Sequence, residues 1–358
     1  MKTKNKKTNR DWQRKRVVVA MSGGIDSSVA AALLKRAGFD VIGVFMKLIN
    51  LPNFKESEKR ARKIAKILKI PFYALELERE FKKRIIKYFI AEYKKETPNP
   101  CVLCNKEIKF GLLLKKALGL GADFLATGHY VRTKEDKKGI HLLKARDEDK
   151  DQSYFLWRLS QKELKRTIFP VGNFTQDEVR SLAEEFRLPV LKVPKSVEIC
   201  FIRTTINEFL RKNLKENPGP VVEQVHYGVN KIVGQHRGLW FYTIGQRKGI
   251  KLTGGPYFVL DKDLKKNTLI VTKNDKDLEK KELIAQKVNW IFGKEPELPL
   301  KVESKIRYRH QPAISIITKK KGTEIYHLKF KKGQRAITPG QSVVFYKGSE
   351  LVGGGIIN

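Results

Sequence analysis

An apolar run, Val17-Val18-Val19-Ala20, breaks at Met21-Ser22-Gly23-Gly24-Ile25-Asp26-Ser27-Ser28 and gives way to an alanine-rich stretch of helical character. A strand that turns through paired glycines straight into a helix leaves few architectures open, because such a connection belongs to a sheet covered by helices. Glycine reaches backbone angles closed to other residues and lets the chain approach a bound group closely. A helix beginning near Ser27 aims its unpaired N–H groups and the positive end of its dipole at the same point. Ser22, Ser27 and Ser28 add hydroxyl donors. The turn therefore reads as an anion cradle. It is not a Walker loop, which needs a lysine that does not follow Gly24.

Alternating strand and helix patterns continue to about residue 130. Strands are expected at Val17–Ala20, Val41–Met46, Phe72–Leu77 and Phe124–Thr127, and helices at Ser27–Ala37, Lys55–Leu68, Glu80–Lys95 and Lys106–Leu118. This order predicts an α/β fold with an N-terminal parallel sheet and helices on both faces. Ligands of such sheets sit beyond the carboxyl ends of the strands, where the glycine turn, Met46 and Gly128 fall. Residues 150–187 read as helical, and Lys192–Arg203 as a loop. Asn217-Pro218-Gly219-Pro220 marks a change of style. Short strands are expected after it, at Val221–Val225, Phe241–Ile244, Tyr257–Leu260 and Thr268–Val271, then at Lys301–Arg307, Ile314–Thr318, Tyr326–Phe330 and Ser342–Tyr346. The expected organisation is a basic mobile tail (1–16), a catalytic α/β domain (17–205), a small central domain (206–282) and a C-terminal β-barrel (283–358).

Charge narrows the partner. The chain carries 74 Lys+Arg against 38 Asp+Glu, a formal net charge of +36. That excess points to a polyanion, nucleic acid first. The cysteines are Cys101, Cys104 and Cys200, too few for a disulfide scaffold, so a reducing compartment and a cytoplasmic location are expected. The basic N-terminus lacks the apolar segment of a signal peptide. No run reaches the roughly 18 apolar residues of a membrane span, so no membrane partner is expected. A monomer is the expected state.

Three constellations carry chemistry beyond the loop. Thr97-Pro98-Asn99-Pro100-Cys101-Val102-Leu103-Cys104-Asn105 delivers thiols to a helix start near Asn105, where the helix terminus should favour a thiolate. Ser196-Val197-Glu198-Ile199-Cys200-Phe201 holds a further cysteine in a loop, and Thr127-Gly128-His129-Tyr130 ends a strand. No second cysteine pair completes a zinc site. Cys101, Cys104 and Cys200 with one open position also match the donor set of an iron–sulfur cluster. Cys200 also reads as core filler, and His129 as a structural histidine. Ser-Gly-Gly-x-Asp-Ser resembles the pyrophosphatase loop of enzymes that split ATP into AMP and pyrophosphate. Adenylation turns a carbonyl oxygen into a good leaving group, and a persulfide with a second thiol can replace it with sulfur. With a polyanion as substrate, the deduced reaction is ATP-driven sulfur insertion into a nucleic-acid base. A small-molecule ATP ligase, or a non-catalytic RNA-binding protein with a relict loop, explains the loop but not the cysteines and charge together.

In their order, these motifs resemble the tRNA-specific 2-thiouridylases of bacteria and organelles. The likeness runs through Ala20–Ser28, Gly43–Met46, Pro98–Phe110, Ala126–Tyr130, Lys150–Leu156, Glu198–Phe201, Tyr242–Gly249, Lys305–Arg309 and Thr338–Gln341. It implies an ATP site at Ala20, Met21, Ser22, Gly23, Gly24, Ile25, Asp26, Ser27, Met46 and Gly128, with ATP as its Mg²⁺ complex. It implies a persulfide on Cys200 and a partner cysteine, Cys104, that attacks it or forms a disulfide with it. Asn99, Pro100 and Cys101 would lie against the target base. His129, Lys150, Asp151, Gln152, Arg307, Tyr308 and Gln341 would contact tRNA. The implied substrate is the wobble uridine of tRNAs for Lys, Glu and Gln, with sulfur from a cysteine desulfurase or a relay protein. Many relatives carry Asp where this chain has Cys101, so an acid–base role there does not transfer. Independently of the resemblance, Lys305, Arg307 and Arg309 with Tyr308 between them read as a basic strand suited to phosphate contact and base stacking.

Overall fold

The computed structural model describes residues 15–190, 199–225 and 230–358. Strands β1 (Arg16–Ala20), β2 (Asp40–Lys47), β3 (Phe72–Glu76) and β4 (Phe124–Thr127) form a parallel sheet, joined at its edge by the short β7 (Thr167–Ile168) in the order β3-β2-β1-β4-β7. Alternate residues of β1 face opposite layers. Val17 and Val19 pack with α1 (Ile25–Arg36), α2 (Pro52–Ile67) and the helix Gln176–Glu185. Val18 packs with the helical stretch that carries Val102, Phe110, Leu113 and Ala117. Helices thus cover both faces, as expected.

Arg16 belongs to this sheet rather than to the expected tail, and Lys15 leads into it. Arg16 opens β1 and pairs with Asp40 at 2.7 Å. Residues 1–14 of that tail lie outside the described residues, as does Glu198.

The helical character expected over 150–187 is found at Gln176–Glu185, its clearest part, and is corrected before it. Short turns at Ser153–Leu156 and Gln161–Leu164 and strand β7 precede the one long helix of that region, Gln176–Glu185. Residues 150–161 instead fasten the catalytic domain to the barrel. The Tyr154 hydroxyl donates to the Ser342 carbonyl (2.8 Å), and Trp157 Nε1 donates to Ser342 Oγ (3.0 Å). Asn289 Nδ2 donates to the Trp157 carbonyl (2.7 Å). Both aromatic rings are fully buried, which satisfies the rule that buried polar tips find partners.

The central domain pairs β8 (Gly219–Glu223), β9 (Lys231–His236), β10 (Phe258–Asp263) and β11 (Thr268–Thr272) in the order β10-β11-β8-β9. Phe241–Ile244, expected as a strand, follows a tight turn at Leu239–Phe241. Phe241 and Tyr242 are buried in a cluster shared with Phe81, Phe89 and Phe201 of the catalytic domain.

β12 (Glu279–Trp290), β13 (Leu300–Lys305), β14 (Ala313–Lys319), β15 (Tyr326–Arg335), β16 (Ser342–Lys347) and β17 (Glu350–Ile357) close into an antiparallel six-stranded barrel through the β12–β17 pairing. An unexpected hairpin of the catalytic domain, β5 (Val131–Asp136) and β6 (Gly139–Lys144), extends this sheet. Leu143 pairs with Glu350, and Leu142 with Leu351.

His141 sits on that seam, with Asp136 2.9 Å from Nε2 and Glu350 2.7 Å from Nδ1. Burial alone would lower the imidazole pKa, but the two carboxylates outweigh it and raise it above its ordinary value. A raised folded-state pKa gives stability that is complete below the ordinary histidine range and is lost as pH climbs through the folded value. In thermal melts, the advantage of the wild-type protein over His141→Gln should be full on the acid side of the ordinary histidine range and shrink as pH rises above that range.

Candidate active site

Sheet and loop place the glycine turn where the sequence predicts it. β1 ends at Ala20, and Met21 N–H extends the pairing to the Val44 carbonyl at 2.8 Å. The Met21 side chain is buried in the core, so its backbone, not its thioether, faces the site. Gly23 adopts φ +75°, and a Cβ there would collide with the backbone of Ser57. Gly24 caps α1, whose first N–H groups have no acceptor within the helix. Ser22 N–H donates to Ser27 Oγ (3.1 Å), and the two hydroxyls lie 3.1 Å apart. Ser28, expected to point at the anion, is fully buried and donates instead to the Gly24 carbonyl (2.6 Å).

The strip Thr127-Gly128-His129-Tyr130 touches everything that matters. A Cβ on Gly128 would lie 2.6 Å from Ser27 N and 2.7 Å from the Asp26 carbonyl carbon, so this glycine lets the strip seat against the turn. The Tyr130 hydroxyl donates to Asp26 Oδ1 at 2.8 Å. Burial raises the Asp26 carboxyl pKa, while the Tyr130 hydrogen bond and the charges of Lys150 and Arg180 pull it back. Tyr130 is itself braced. Its N–H donates to Gln152 Oε1 (3.0 Å) and its carbonyl accepts from Gln152 N–H (3.0 Å).

His129 points the other way, buried between Phe110 and Phe169. Its Nδ1 lies 2.7 Å from Thr127 Oγ1 and its Nε2 lies 3.5 Å from Lys109 Nζ. Burial, then the Lys109 charge, pushes its pKa well down, so the ring is neutral. Met46, near the end of β2, is half-buried between the sheet and the helical layer.

The cysteines depart from expectation. The helix begins at Pro100, with Asn99 Oδ1 accepting from Cys101 N–H at 3.1 Å, and runs on through Cys104 into a π-helical stretch from Asn105, so Cys104 lies inside the helix, about one turn from its start, instead of opening it. Its thiol is buried among Phe81, Phe89 and Ile108, and burial pushes its pKa up to about 12. Cys200 is exposed, yet desolvation raises its thiol pKa as well. Cys101, Cys104 and Cys200 are all free thiols, and Cys101 and Cys200 lie within electrostatic reach of the buried Cys104 sulfur. Among the described residues, no three His, Cys, Asp or Glu side chains converge as metal ligands. The donors as arranged among the described residues do not fit an iron–sulfur cluster.

Several residues expected at the tRNA surface have partners inside the protein. Asp151 is buried, and Oδ1 accepts from Ala145 N–H (3.0 Å) and Ser153 N–H (3.2 Å). Arg307 donates to the carbonyls of Ile244 and Ala336 and to Thr338 Oγ1. It stands beyond the end of β13 at Lys305, so the basic strand over 305–309 is a turn. Gln341 Nε2 donates to the Thr97 carbonyl (2.8 Å), and Thr97 N–H donates back to Pro339, clamping the loop before Asn99 and Pro100. Lys150 and Tyr308 remain half-exposed, with Tyr308 resting on Phe155 at 4.5 Å between ring centres. Sequence reasoning missed Tyr130, Arg60, Arg180 and Lys109. Arg60 Nε donates to the Gly23 carbonyl at 3.3 Å. Tyr130 was within reach, being adjacent to His129; the arginines arrive from distant helices and leave no local signal.

Family models cover the chain in three consecutive blocks. Residues 15–204 match a tRNA methyl transferase HUP domain, 207–273 a tRNA methyl transferase PRC-barrel domain, and 280–357 an aminomethyltransferase beta-barrel domain. The chain is 46% identical to the tRNA-specific 2-thiouridylase MnmA 2 of Thermoanaerobacter sp. (strain X514), over 96% of this chain and 97% of that protein. It is 44% identical to the tRNA-specific 2-thiouridylase MnmA of Clostridioides difficile (strain 630), over 97% of this chain and 99% of that one. A solved structure, the U34-tRNA thiolase NcsA from Methanococcus maripaludis with its [4Fe-4S] cluster, aligns at 21% identity over 57% of this chain and 68% of that one, with a TM-score of 0.38.

Proposed function

This chain belongs to the tRNA-specific 2-thiouridylase family, and from that premise we propose how its residues carry out ATP-dependent 2-thiolation of the wobble uridine of tRNA. It is a tRNA-uridine 2-sulfurtransferase. The observation that supports a single coupled site is the strip Thr127–Tyr130. Gly128 and Tyr130 serve the glycine turn, and His129 reaches Lys109 on the helical stretch that carries Cys101 and Cys104.

MgATP, as substrate, lays its phosphates over Ser22–Ser27, where the first amides of α1 and the Ser22 hydroxyl donate. Asp26, held by Tyr130, positions the metal-bound pyrophosphate. The uridine C2 oxygen attacks the α-phosphorus, the α–β bridging bond breaks, and pyrophosphate leaves. A flipped-out base exposes that oxygen, with Asn99, Pro100 and Cys101 beside it. Cys200 takes a sulfane sulfur from a cysteine desulfurase or relay protein. That sulfur reaches C2 as the C2–O bond breaks and AMP departs. Either the terminal sulfur attacks C2 directly and Cys104 then attacks the inner sulfur, or Cys104 first releases hydrosulfide. Both routes move the Cys104 proton to solvent, leave a Cys104–Cys200 disulfide, and require a dithiol reductant to reset the pair. Lys150 and Tyr308 meet the RNA. Tyr308 offers a stacking face and Lys150 a charge near the nucleotide.

The test is to incubate the protein with unmodified tRNA, ATP and a desulfurase with cysteine, then digest the RNA and analyse nucleosides by mass spectrometry. The expected product is 2-thiouridine formed only with ATP, with pyrophosphate released. Thiolation without ATP consumption would refute the mechanism.

A further inference from the structure

A cavity of about 260 Å³ opens at the seam between the catalytic and central domains. Its wall combines Tyr93, the last residue of the helix Lys87–Tyr93, with Asn207 of the helix Ile206–Asn213 and with Trp240, Phe241 and Gln246 of the central domain. It shares no lining residue with the glycine turn. The wall is aromatic, yet two of its rings carry polar tips left unpaired. Tyr93 is only 5% exposed, its ring packed against Phe89 at 4.7 Å between centres. Its hydroxyl has no hydrogen-bond partner among the described residues. Burial pushes its pKa up to about 12, so it stays protonated and able to donate. Trp240 Nε1 is buried without a partner as well. Buried Tyr and Trp tips ordinarily find partners, as those of Tyr154 and Trp157 do at the barrel seam.

Charge and position narrow what fits. Arg211 stands over the Phe241 ring at 5.8 Å and forms no ion pair among the described residues. Arg247 and Lys248 follow Gln246 and are exposed. An aromatic wall with an idle donor and cations nearby matches a nucleobase on its phosphate chain. The space is below the roughly 300–1,000 Å³ of sites for drug-sized ligands and suits one planar ring system. Thr205, which also lines it, stands five residues after Cys200, so at most about 18 Å separates the two backbones. The Phe201 ring packs on Phe89 at 5.3 Å, the same ring that supports Tyr93. A base held here belongs to the same stretch of RNA as a uridine that meets Cys200. Resting on the thiolation reading, we propose that this cavity receives an unstacked base of the tRNA anticodon loop, close in sequence to the wobble uridine. The base lies against Trp240 and Phe241, its polar edge meets the Tyr93 hydroxyl, and its phosphates lie beside Arg211 and Arg247. Drawing that base aside holds the loop open and helps to expose the uridine.

The experiment measures binding of unmodified tRNA to the full chain by filter retention over a range of salt, in wild type, Tyr93→Phe, Asn207→Trp and Arg211→Gln. Tyr93→Phe keeps the ring and removes one hydroxyl, so affinity should fall about fivefold, the effect of losing one hydrogen bond. The thermal melt of the free protein should not fall, since that hydroxyl bonds to nothing within it. Asn207→Trp fills the space from the surface of a helix and should weaken binding about tenfold or more. In both variants the slope of log affinity against log salt should match wild type, because no phosphate contact is lost, whereas Arg211→Gln should lower it by about one. Ultraviolet crosslinking of the wild-type complex, read by peptide mass spectrometry, should place an anticodon-loop nucleotide on Tyr93 or Trp240. Affinity within about twofold of wild type in both Tyr93→Phe and Asn207→Trp would overturn the proposal. If those variants also thiolate slowly with a desulfurase but normally with free sulfide, the cavity seats the sulfur-donor protein instead of RNA. Cavity-dependent tRNA binding by a protein that makes no 2-thiouridine would overturn the thiolation reading and leave the cavity assigned to RNA.

Discussion

Cys200→Ser and Cys104→Ser should each form no detectable 2-thiouridine, a loss of at least about a thousandfold, while still binding ATP and tRNA. Serine keeps nearly the shape of the side chain but cannot carry a sulfane sulfur, and its hydroxyl does not ionise near neutral pH. In Cys200→Ser the sulfur has no place to wait. In Cys104→Ser nothing cleaves the persulfide bond, by either route. The glycine turn is untouched by both changes, because its partners are Ser57, Arg60, Gly128 and Tyr130 rather than the cysteines. Adenylation should therefore continue, and one equivalent of tRNA-dependent pyrophosphate should appear in each variant before the reaction stalls. Nucleoside mass spectrometry and a pyrophosphate assay on the same samples check both halves. Full thiolation by Cys200→Ser would remove the relay.

Gly128→Ala should cut tRNA-dependent pyrophosphate release by about a hundredfold or more. The added Cβ would stand 2.6 Å from Ser27 N, 2.7 Å from the Asp26 carbonyl carbon and 2.9 Å from Ser27 Cα. These are backbone atoms at the first turn of a 12-residue helix, and they cannot swing aside as a side chain would. The helix start must shift, and the amides aimed at the phosphates shift with it. Overpacking of this kind costs about 1–3 kcal/mol of stability, too little to unfold a domain with a full core. The loss should therefore appear as failed adenylation in a folded protein, with circular dichroism near wild type and alkylation of Cys104 and Cys200 unaltered. A wild-type rate in Gly128→Ala would mean that the strip does not seat the nucleotide turn.

What could be read from the residues alone follows a physical division. The parallel sheet was legible because β1, β2 and β4 are apolar between their ends, as strands covered on both faces must be. The glycine turn was legible because its conformation demands its residues. The hairpin β5–β6 was not, because Arg132, Lys134, Glu135, Asp136, Lys137 and Lys138 mask its alternation and its partner strand lies some two hundred positions away. Phe241–Ile244 misled because its apolar residues serve a domain contact rather than a sheet face. The π-helix over 105–113 was invisible, since apolar spacing does not separate an i+4 from an i+5 backbone repeat. The resemblance sets Asp151, Arg307 and Gln341 at the tRNA, and the fold adds that their side chains also tie the protein together within and between domains.

The hairpin that the catalytic domain lends to the barrel has an evolutionary corollary. Leu142 of β6 and Leu351 of β17 are both fully buried at a seam between two units that the chain encodes more than two hundred positions apart. Neither unit can be traded for a homologous module without carrying its half of that seam, so substitutions along 139–144 and 349–352 should co-vary as a lineage diverges. Recombination that respects the domain borders alone would leave an orphaned sheet edge on each fragment.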